Sequence, residues 1–375
     1  MTYQVVGQLN QPPVISNEAA LPEGPVLDTI VVGGGLSGLA ALWKLKNRHA
    51  KLLEWSPQAG GLAANGHGHG LTYARGAAYF THPEGEVGRL YHELGLGRAD
   101  KLEIPQPVDS YLEDHYLIRN VWEEGLQKLP EEFRRFKAFV EKLSEEGKIG
   151  DAPLEECSAE VQAFDHLTAA QLIAPFGPRV KAFLDCYCRS ALGAESEQLS
   201  AMAFLNFYVD EFGERYAFRG GTGGVAEQLE RKIRRLAPHA IQTKAFVYDV
   251  HHRADGLVEV RYQQANKNHT LLAKKVIMAL PLSATAQVVR DLPQSRKESF
   301  GSLEHANYLV HNIFTPEVVF DQSYDTWVKG ASFSDIIVGR WQQTHGYHTK
   351  KISAQSGSAH GLSAFANPVF TGLSR

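Results

Sequence analysis

The chain has 375 residues, 43% hydrophobic and 21% charged, which excludes a wholly disordered, collagen-like or disulfide-stapled protein. Lys and Arg number 38 against 42 Asp and Glu, so the net charge of −4 argues against a nucleic-acid partner. Three cysteines and the lack of an apolar stretch of about 18 residues argue against a disulfide framework and against a membrane span. We therefore expect a soluble, cytoplasmic protein of two or three domains.

The first regular structure is predicted after residue 26. Residues 1–26 are polar and interrupted by prolines, so they predict an N-terminal arm. A β-rich run at 27–32 follows, then apolar residues at helical spacing over 36–46 and a second β-rich run at 51–53. This order predicts a β–α–β unit.

The pattern becomes helical from 86 to 205. Amphipathic segments at 87–94, 131–143 and 179–192 alternate with loops rich in Pro, Gly and acidic residues. We interpret this stretch as a helical region inserted after the β–α–β unit.

A β-meander is predicted further along the chain. After an amphipathic helix that begins near Val225, β-rich runs occupy 245–251, 257–263 and 270–280. The first two runs are joined by a turn signal that contains Asp255-Gly256. The meander therefore interrupts the α/β pattern.

The last part of the chain changes character twice. Residues 286–345 mix β-prone stretches with aromatic residues, and we expect them to pack with the helical region. Residues 346–375 contain no Asp or Glu and show neither helical nor strand periodicity, so an irregular tail is predicted.

A glycine loop with a partner acid is the strongest functional signal. The segment 33–38 reads Gly-x-Gly-x-x-Gly directly after the first strand and opens the first helix. Gly33 permits the tight turn, Gly35 lets the backbone approach a pyrophosphate, and Gly38 lets the helix pack closely on the strand. Glu54 follows 21 residues after Gly33, where an acid accepts hydrogen bonds from ribose hydroxyls. The arrangement predicts dinucleotide binding.

Two further glycine-rich segments carry a family resemblance. Gly60-Gly61 precedes a strand-like segment at 70–80 that ends in small residues, and a glycine-rich turn with a helix occupies 218–229. With a returning strand at 275–281, these segments resemble the flavin-containing amine oxidoreductases, which include monoamine oxidases, protoporphyrinogen oxidases and phytoene desaturases. The resemblance covers residues 27 to about 345.

The resemblance implies an α/β fold with a discontinuous, Rossmann-like FAD-binding domain that contains the β-meander, plus a mixed α+β substrate domain rich in helices. The implied boundaries are 27–85 and 206–285 for the FAD-binding domain and 86–205 and 286–345 for the substrate domain. The residues implied to contact FAD are Gly33, Gly34, Gly35, Leu36, Ser37, Gly38, Glu54, Gly60, Gly61, Leu62, Gly76, Ala77, Ala78, Tyr79 and Val247.

The implied function is an FAD-dependent oxidoreductase that moves a hydride equivalent from an amine or another small organic substrate to the flavin. The electron acceptor is not identified by any motif. Two alternatives stay open: a desaturase or isomerase of apolar substrates, and a truncated nucleotide-binding remnant without turnover.

The remnant alternative rests on departures from the family pattern. Leu62 stands where the family usually has an Arg that neutralises a flavin phosphate, and no segment after Ile352 resembles the family's closing glycine turn and helix. The tail is interpreted either as a diverged terminus or as readthrough in a different frame after a truncation.

No catalytic residue and no metal site is assigned. A loose alignment places His311 near a position where several amine oxidases have a lysine, and the difference in residue type argues against transferring its role. The histidines of His67-Gly68-His69 have no Cys, Asp or Glu at ligand spacing, so we interpret them as loop residues.

Overall fold

The computed structural model describes residues 13, 15, 20–45, 49–68, 71–77, 79–80, 85–96, 101–104, 108–149, 158–213, 215–218, 221–303, 306, 309–315, 320, 322–339 and 360–366. The strands in these ranges are β1 (Leu27–Val32), β2 (Ala50–Leu53), β3 (Asn65–Gly68), β4 (Leu71–Ala74), β5 (Lys101–Glu103), β6 (Asp109–Glu113), β7 (Tyr116–Arg119), β8 (Tyr216–Phe218), β9 (Ile241–Gln242), β10 (Phe246–His252), β11 (Val258–Gln264), β12 (Lys267–Met278), β13 (Leu309–Thr315), β14 (Asp325–Val328), β15 (Asp335–Val338) and β16 (His360–Ala366). The helices are α1 (Leu36–Lys44), α2 (Gly85–Leu94), α3 (Glu131–Glu145), α4 (Ala159–Gln162), α5 (Ala169–Ile173), α6 (Pro178–Tyr187), α7 (Ala201–Tyr208), α8 (Gly223–Leu236), α9 (Leu282–Val288) and α10 (Gln294–Gly301).

The first sheet has the strand order β10-β11-β12-β1-β2-β9. β1 lies between β2 and β12 and is parallel to both. Its apolar residues are buried on both faces: Val31 packs with α1 and α8, whereas Ile30 and Val32 pack with the meander. A strand covered on both faces reads as a continuous hydrophobic run, which is why the sequence locates it correctly. The predicted β–α–β unit is confirmed.

The predicted meander is also confirmed, because β10, β11 and β12 pair antiparallel in sequence order. Gly256 supplies a positive φ of 81° in the first turn. In the second turn, Ala265 and Asn266 adopt φ values of 49° and 61°, the conformation that suits a two-residue hairpin. β12 is 12 residues long, and from Ala273 onward it pairs with β1.

The second sheet has the order β13-β16-β15-β14-β6-β7. β14 is parallel to β6, which brings distant parts of the chain together. Tyr111 of β6 and Trp327 of β14 pack into an apolar cluster with side chains of α3, α6 and α7. Aromatic rings dominate this cluster; Trp122 and Phe183, for example, meet edge to face with centroids 5.5 Å apart.

Two helices pack differently from what the predicted domain boundaries imply. α7 crosses the boundary between 205 and 206, and its buried side chains, Tyr208 among them, belong to the cluster of the helical region. α2 was assigned to the substrate domain, but its buried Leu94 packs with the first sheet's helices. Hydrophobic periodicity identifies the buried face of a helix but not the surface that covers it.

Both ends of the described chain are paired with strands. Thr270 of β12 donates a hydrogen bond from its hydroxyl to the Ala20 oxygen, 2.8 Å away, and accepts one from the Glu23 amide at 2.9 Å. The prediction of an irregular tail is wrong for His360–Ala366, which forms β16 between β13 and β15. A strand that forms main-chain hydrogen bonds with two neighbouring strands does not need the alternating apolar and polar residues whose absence led to the prediction of an irregular tail.

Candidate functional site

The glycine turn between β1 and α1 leaves no room for side chains at two positions. Gly33 has φ +105°, and a Cβ there would lie 2.5 Å from the Ala279 oxygen. A Cβ on Gly38 would lie 1.9 Å from the Gly33 oxygen. Glycine is therefore required at Gly33 by backbone conformation and at Gly38 by close packing of the helix against the turn.

Gly35 differs from these two glycines, because the space beside it is open. Its φ of −68° is available to any residue, and, its chain neighbours aside, no described atom lies within 4 Å of a Cβ built there. Gly35 is the N-cap of α1, which has no side-chain cap and no acid in its first turn. The first amides of α1 thus face open space with the positive end of the helix dipole, which suits an anion.

Glu54 closes the turn from the end of β2. One carboxylate oxygen accepts a hydrogen bond from the Gly34 amide at 2.6 Å, and the other accepts one from the Ser56 amide at 2.6 Å. The carboxylate is half-buried beside the glycine turn. An acid fixed at this place by main-chain donors is positioned to meet the ribose of a nucleotide whose phosphates lie at Gly35.

The second glycine pair packs directly on the first turn. The Gly60 amide donates to the Gly34 oxygen at 2.8 Å, and a Cβ on Gly61 would lie 3.1 Å from the Gly35 Cα. Leu62 follows with a side chain that is 90% exposed, and its main-chain oxygen lies 2.6 Å from where a Gly76 Cβ would be. The structure therefore brings 33–38 into contact with 60–62, and 60–62 into contact with 76–77.

The glycine-rich segment that precedes α8 joins the same surface. Thr222 donates a hydrogen bond from its hydroxyl to the Ala77 oxygen. A Cβ on Gly223 would lie 2.0 Å from the Asn65 Oδ1 atom, and the Asn65 amide donates to Glu227 at 3.1 Å. Asn65 is buried, and among the described residues its Oδ1 atom has no hydrogen-bond partner.

For other residues predicted to contact FAD, the structure gives only their positions. Val247 is buried on β10, next to a register shift between Val247 and Asp249 that leaves the intervening residue unpaired. Leu36 and Ser37 begin α1 at the open side of the turn. Ala78 lies outside the described residues.

The loosely aligned His311 has an exposed side chain on β13. His67 approaches Glu227 and Thr72, whereas His69 lies outside the described residues. In the ranges that the structure describes, no group of three or more His, Cys, Asp or Glu side chains is arranged to hold a metal ion. The same ranges contain no helix with the length and apolarity of a membrane span.

Tyr79, one of the residues predicted to contact FAD, lies beside a buried ionic cluster. We call it the junction cluster and define it as Asp109, Glu211, Arg215, Asp325 and Asp335. The Arg215 guanidinium lies 5.4 Å from the centre of the Tyr79 ring. It donates two hydrogen bonds to Asp109, at 2.9 and 2.8 Å, and forms an ion pair with Glu211. Burial first, and then the charge of Glu211, raise the pKa of Tyr79 well above its usual value.

The sequence matches the model of the flavin-containing amine oxidoreductases over residues 36–341. The chain belongs to this family. Members are flavin-containing oxidoreductases, and the matched region contains Gly38, Glu54 and Gly60, whereas Gly33 and Gly35 lie just before it. The resemblance inferred from the sequence is confirmed.

Individual relatives are distant. The chain is 26% identical over 308 residues to the pig flavin-containing amine oxidase A, a match that covers 75% of this chain and 55% of the relative. It is 31% identical over 162 residues to Arabidopsis thaliana protoporphyrinogen oxidase 2, covering 39% of this chain and 31% of that protein. The chain thus spans about half the length of the curated amine oxidases that it matches.

A solved structure confirms the fold. Cyclohexylamine oxidase from Brevibacterium oxydans superposes with a TM-score of 0.68 at 18% sequence identity, covering 92% of this chain and 76% of that one. At this identity, the likeness concerns the α/β fold and not the substrate.

Sequence reasoning missed the junction cluster. Its members come from β6, the turn after α7, the residue before β8, and strands β14 and β15. Asp109, Asp325 and Asp335 each begin a short β-prone run, which is a weak signal for a buried acid. Nothing in one sequence shows that these runs become neighbours.

Proposed function

We propose that this chain binds FAD in an extended form, with the pyrophosphate at Gly35 and the adenosine ribose at Glu54. The observation that carries the proposal is the open, uncapped start of α1 beside a carboxylate held by the Gly34 and Ser56 amides. The residues present fit such a cofactor, because Gly35 alone of the three motif glycines has free space at its Cβ position.

We further propose that the loaded protein is an oxidoreductase for an amine or a similar small organic substrate. FAD, when bound, supplies a two-electron acceptor for a hydride equivalent from a carbon next to nitrogen. The chain's own part is to orient the cofactor through 33–38, 60–62 and 76–77, with Tyr79 placed beside the Arg215 guanidinium. The family match supports this reaction class.

The decisive variant is Gly35→Val. Because φ is −68° and the space is open, valine fits the folded chain, but its methyl groups occupy the proposed pyrophosphate position. We expect the purified variant to retain less than about one-tenth of the flavin absorbance per mole of protein, while valine at an N-cap lowers stability by only about 1 kcal/mol.

Gly301→Val is the matched control. Gly301 ends α10 and has no positive φ, and, its chain neighbours and the backbone of α10 aside, no described atom lies within 4 Å of its Cβ position. This variant should keep its flavin in full. Equal flavin content in the two variants would contradict the proposed binding mode, as would release of a nucleotide other than FAD from the wild type.

A second candidate reaction is oxidation of an apolar ring system, favoured by the similarity to protoporphyrinogen oxidase 2. Anaerobic mixing separates the two reactions: bleaching of the flavin by a primary amine supports the first, and bleaching by protoporphyrinogen alone supports the second. Bound FAD that neither compound reduces would instead support the remnant without turnover.

A further inference from the structure

The junction cluster contains more negative groups than its cation can compensate. The cluster contains four carboxyl groups and one cation, Arg215, whose side chain is 1% exposed. Asp325 and Asp335 are each 1% exposed, and the side chains of Asp109 and Glu211 are 9% and 6% exposed. If all four acids were ionised, a net charge of about −3 would lie in the protein interior, where uncompensated charge is strongly unfavourable.

Arg215 is already committed to two of the four acids. It makes a bidentate pair with Asp109, an ion pair with Glu211, and a hydrogen bond to the Glu211 main-chain oxygen at 3.1 Å. Asp325 and Asp335 have no such partner: within the described ranges, Asp325 Oδ1 and Asp335 Oδ2 accept no hydrogen bond.

Strand register places these two acids close together. Asp325 pairs with Asp109 on the parallel strand β6, and on the other side with Ile337 of β15. Asp335 lies two residues before Ile337, so all three aspartates project from the same face of the sheet. Ser334 donates a hydrogen bond to Asp335 Oδ1 at 2.6 Å, which leaves Oδ2 as the unsatisfied atom.

We propose that Asp325 and Asp335 form a buried proton-binding site that retains at least one proton at neutral pH and loses it as the pH rises. Ionised together, the two carboxylates would repel each other in the protein interior, and Arg215, the cation of the cluster, is already paired with Asp109 and Glu211. Protonated, one of them becomes a donor, and the charge of the cluster falls toward the value that Arg215 can balance.

The electrostatics of the cluster agree with this assignment. Burial, together with the charges of Asp335 and Asp109, raises the pKa of Asp325 well above its usual value. Burial raises the pKa of Asp335 to about 7 despite hydrogen bonds from Ser334 and Ser190. Burial likewise raises the pKa of Glu211 to about 7, with Arg215 opposing the rise.

The other groups that face the pair come from several elements. Asp109 approaches from β6, and Glu211 and Arg215 from the segment between α7 and β8. The neighbouring groups that are neutral at pH 7 are Tyr79, Tyr324 and Cys186. Because Tyr79 belongs to the predicted cofactor segment, the proton occupies the junction between that segment and the second sheet.

The sign of the pH effect follows from the raised pKa values. A carboxyl with a raised folded-state pKa stabilises the fold fully below its unfolded pKa of about 4, and this contribution is lost as the pH rises through the folded value. As the pH rises from about 4 to 7, the folded-to-unfolded ratio should fall about tenfold per pH unit for each proton that the folded protein retains and the unfolded chain releases.

The test uses the full-length protein and infrared spectroscopy of protonated carboxyl groups. At pH 7 the folded wild type should show their carbonyl band, which should disappear on unfolding at the same pH. Asp325→Asn and Asp335→Asn should each weaken the band. Each should also make the folded-to-unfolded ratio less dependent on pH, by up to a factor of about ten per pH unit.

Glu113→Gln is the control variant. Glu113 is also buried, but hydrogen bonds from Lys329 and Arg179 outweigh burial and lower its pKa. This variant should leave the band intact. Absence of the band in the folded wild type at pH 7 would overturn the proposal, and this measurement does not depend on whether an asparagine variant folds. The proposal would also be overturned if both asparagine variants folded and kept a carbonyl band as strong as that of the wild type.

Discussion

Replacing Arg215 by methionine should destabilise the protein, and more strongly at high pH than at low pH. Methionine keeps an apolar stem but removes the guanidinium, which leaves Asp109 and Glu211 buried without a cation. The folded variant can respond by binding a proton, at a cost of about 1.4 kcal/mol for each pH unit above an unfolded pKa of about 4. The loss should therefore be about 3 kcal/mol at pH 6 and about 6 kcal/mol at pH 8, the second value slightly above the ~3–5 kcal/mol that is typical of broken buried ion pairs.

Urea unfolding followed by circular dichroism at pH 6 and pH 8 measures this difference. Arg89→Met is the control, because the Arg89–Glu86 pair joins side chains that are 67% and 75% exposed. Because water screens such an exposed pair, its loss should leave the free energy of unfolding nearly unchanged at both pH values. The reasoning fails if Arg215→Met costs less than 1 kcal/mol, or if its cost is the same at both pH values.

Three further variants or probes test the site and the core. Gly38→Ala should lower stability by several kcal/mol and abolish flavin retention, since its Cβ would lie 1.9 Å from the Gly33 oxygen; recovery of a folded yellow protein would contradict the turn geometry. Glu54→Gln should weaken FAD binding about tenfold or more, because a neutral amide loses a charged hydrogen bond, and titration with FAD measures the change. Burial raises the pKa of Cys186 to about 11 and raises that of Cys188 further, so neither thiol should react with a thiol reagent at pH 8 until urea unfolds the protein.

The sequence predicted the cofactor half of the molecule well, because its signals are local. The turn at 33–38 must be glycine at defined positions for reasons of packing and φ, and these reasons act within a few residues of the motif. The strands at 27–32 and 245–280 are apolar runs bounded by turn residues, and they form the predicted β–α–β unit and meander.

The second sheet could not be predicted to the same depth. β6 and β14 are short strands from distant parts of the chain, and their pairing depends on the path of the intervening helices. The pairing of Arg215 with Asp109 is equally non-local. α2 shows the same limit, since its apolar face was recognised while its packing partner α8 was not.

The length of β12 has a consequence for the order in which the protein folds. Its first half completes a hairpin with β11, a contact between near neighbours, whereas its second half pairs Ala273 with Leu27, about 250 residues away. During synthesis, β1 therefore cannot pair with β12 until residues 273–278 have left the ribosome. Non-local pairing of this kind slows folding, and until it forms, the edge of β1 that faces β12 has no strand partner.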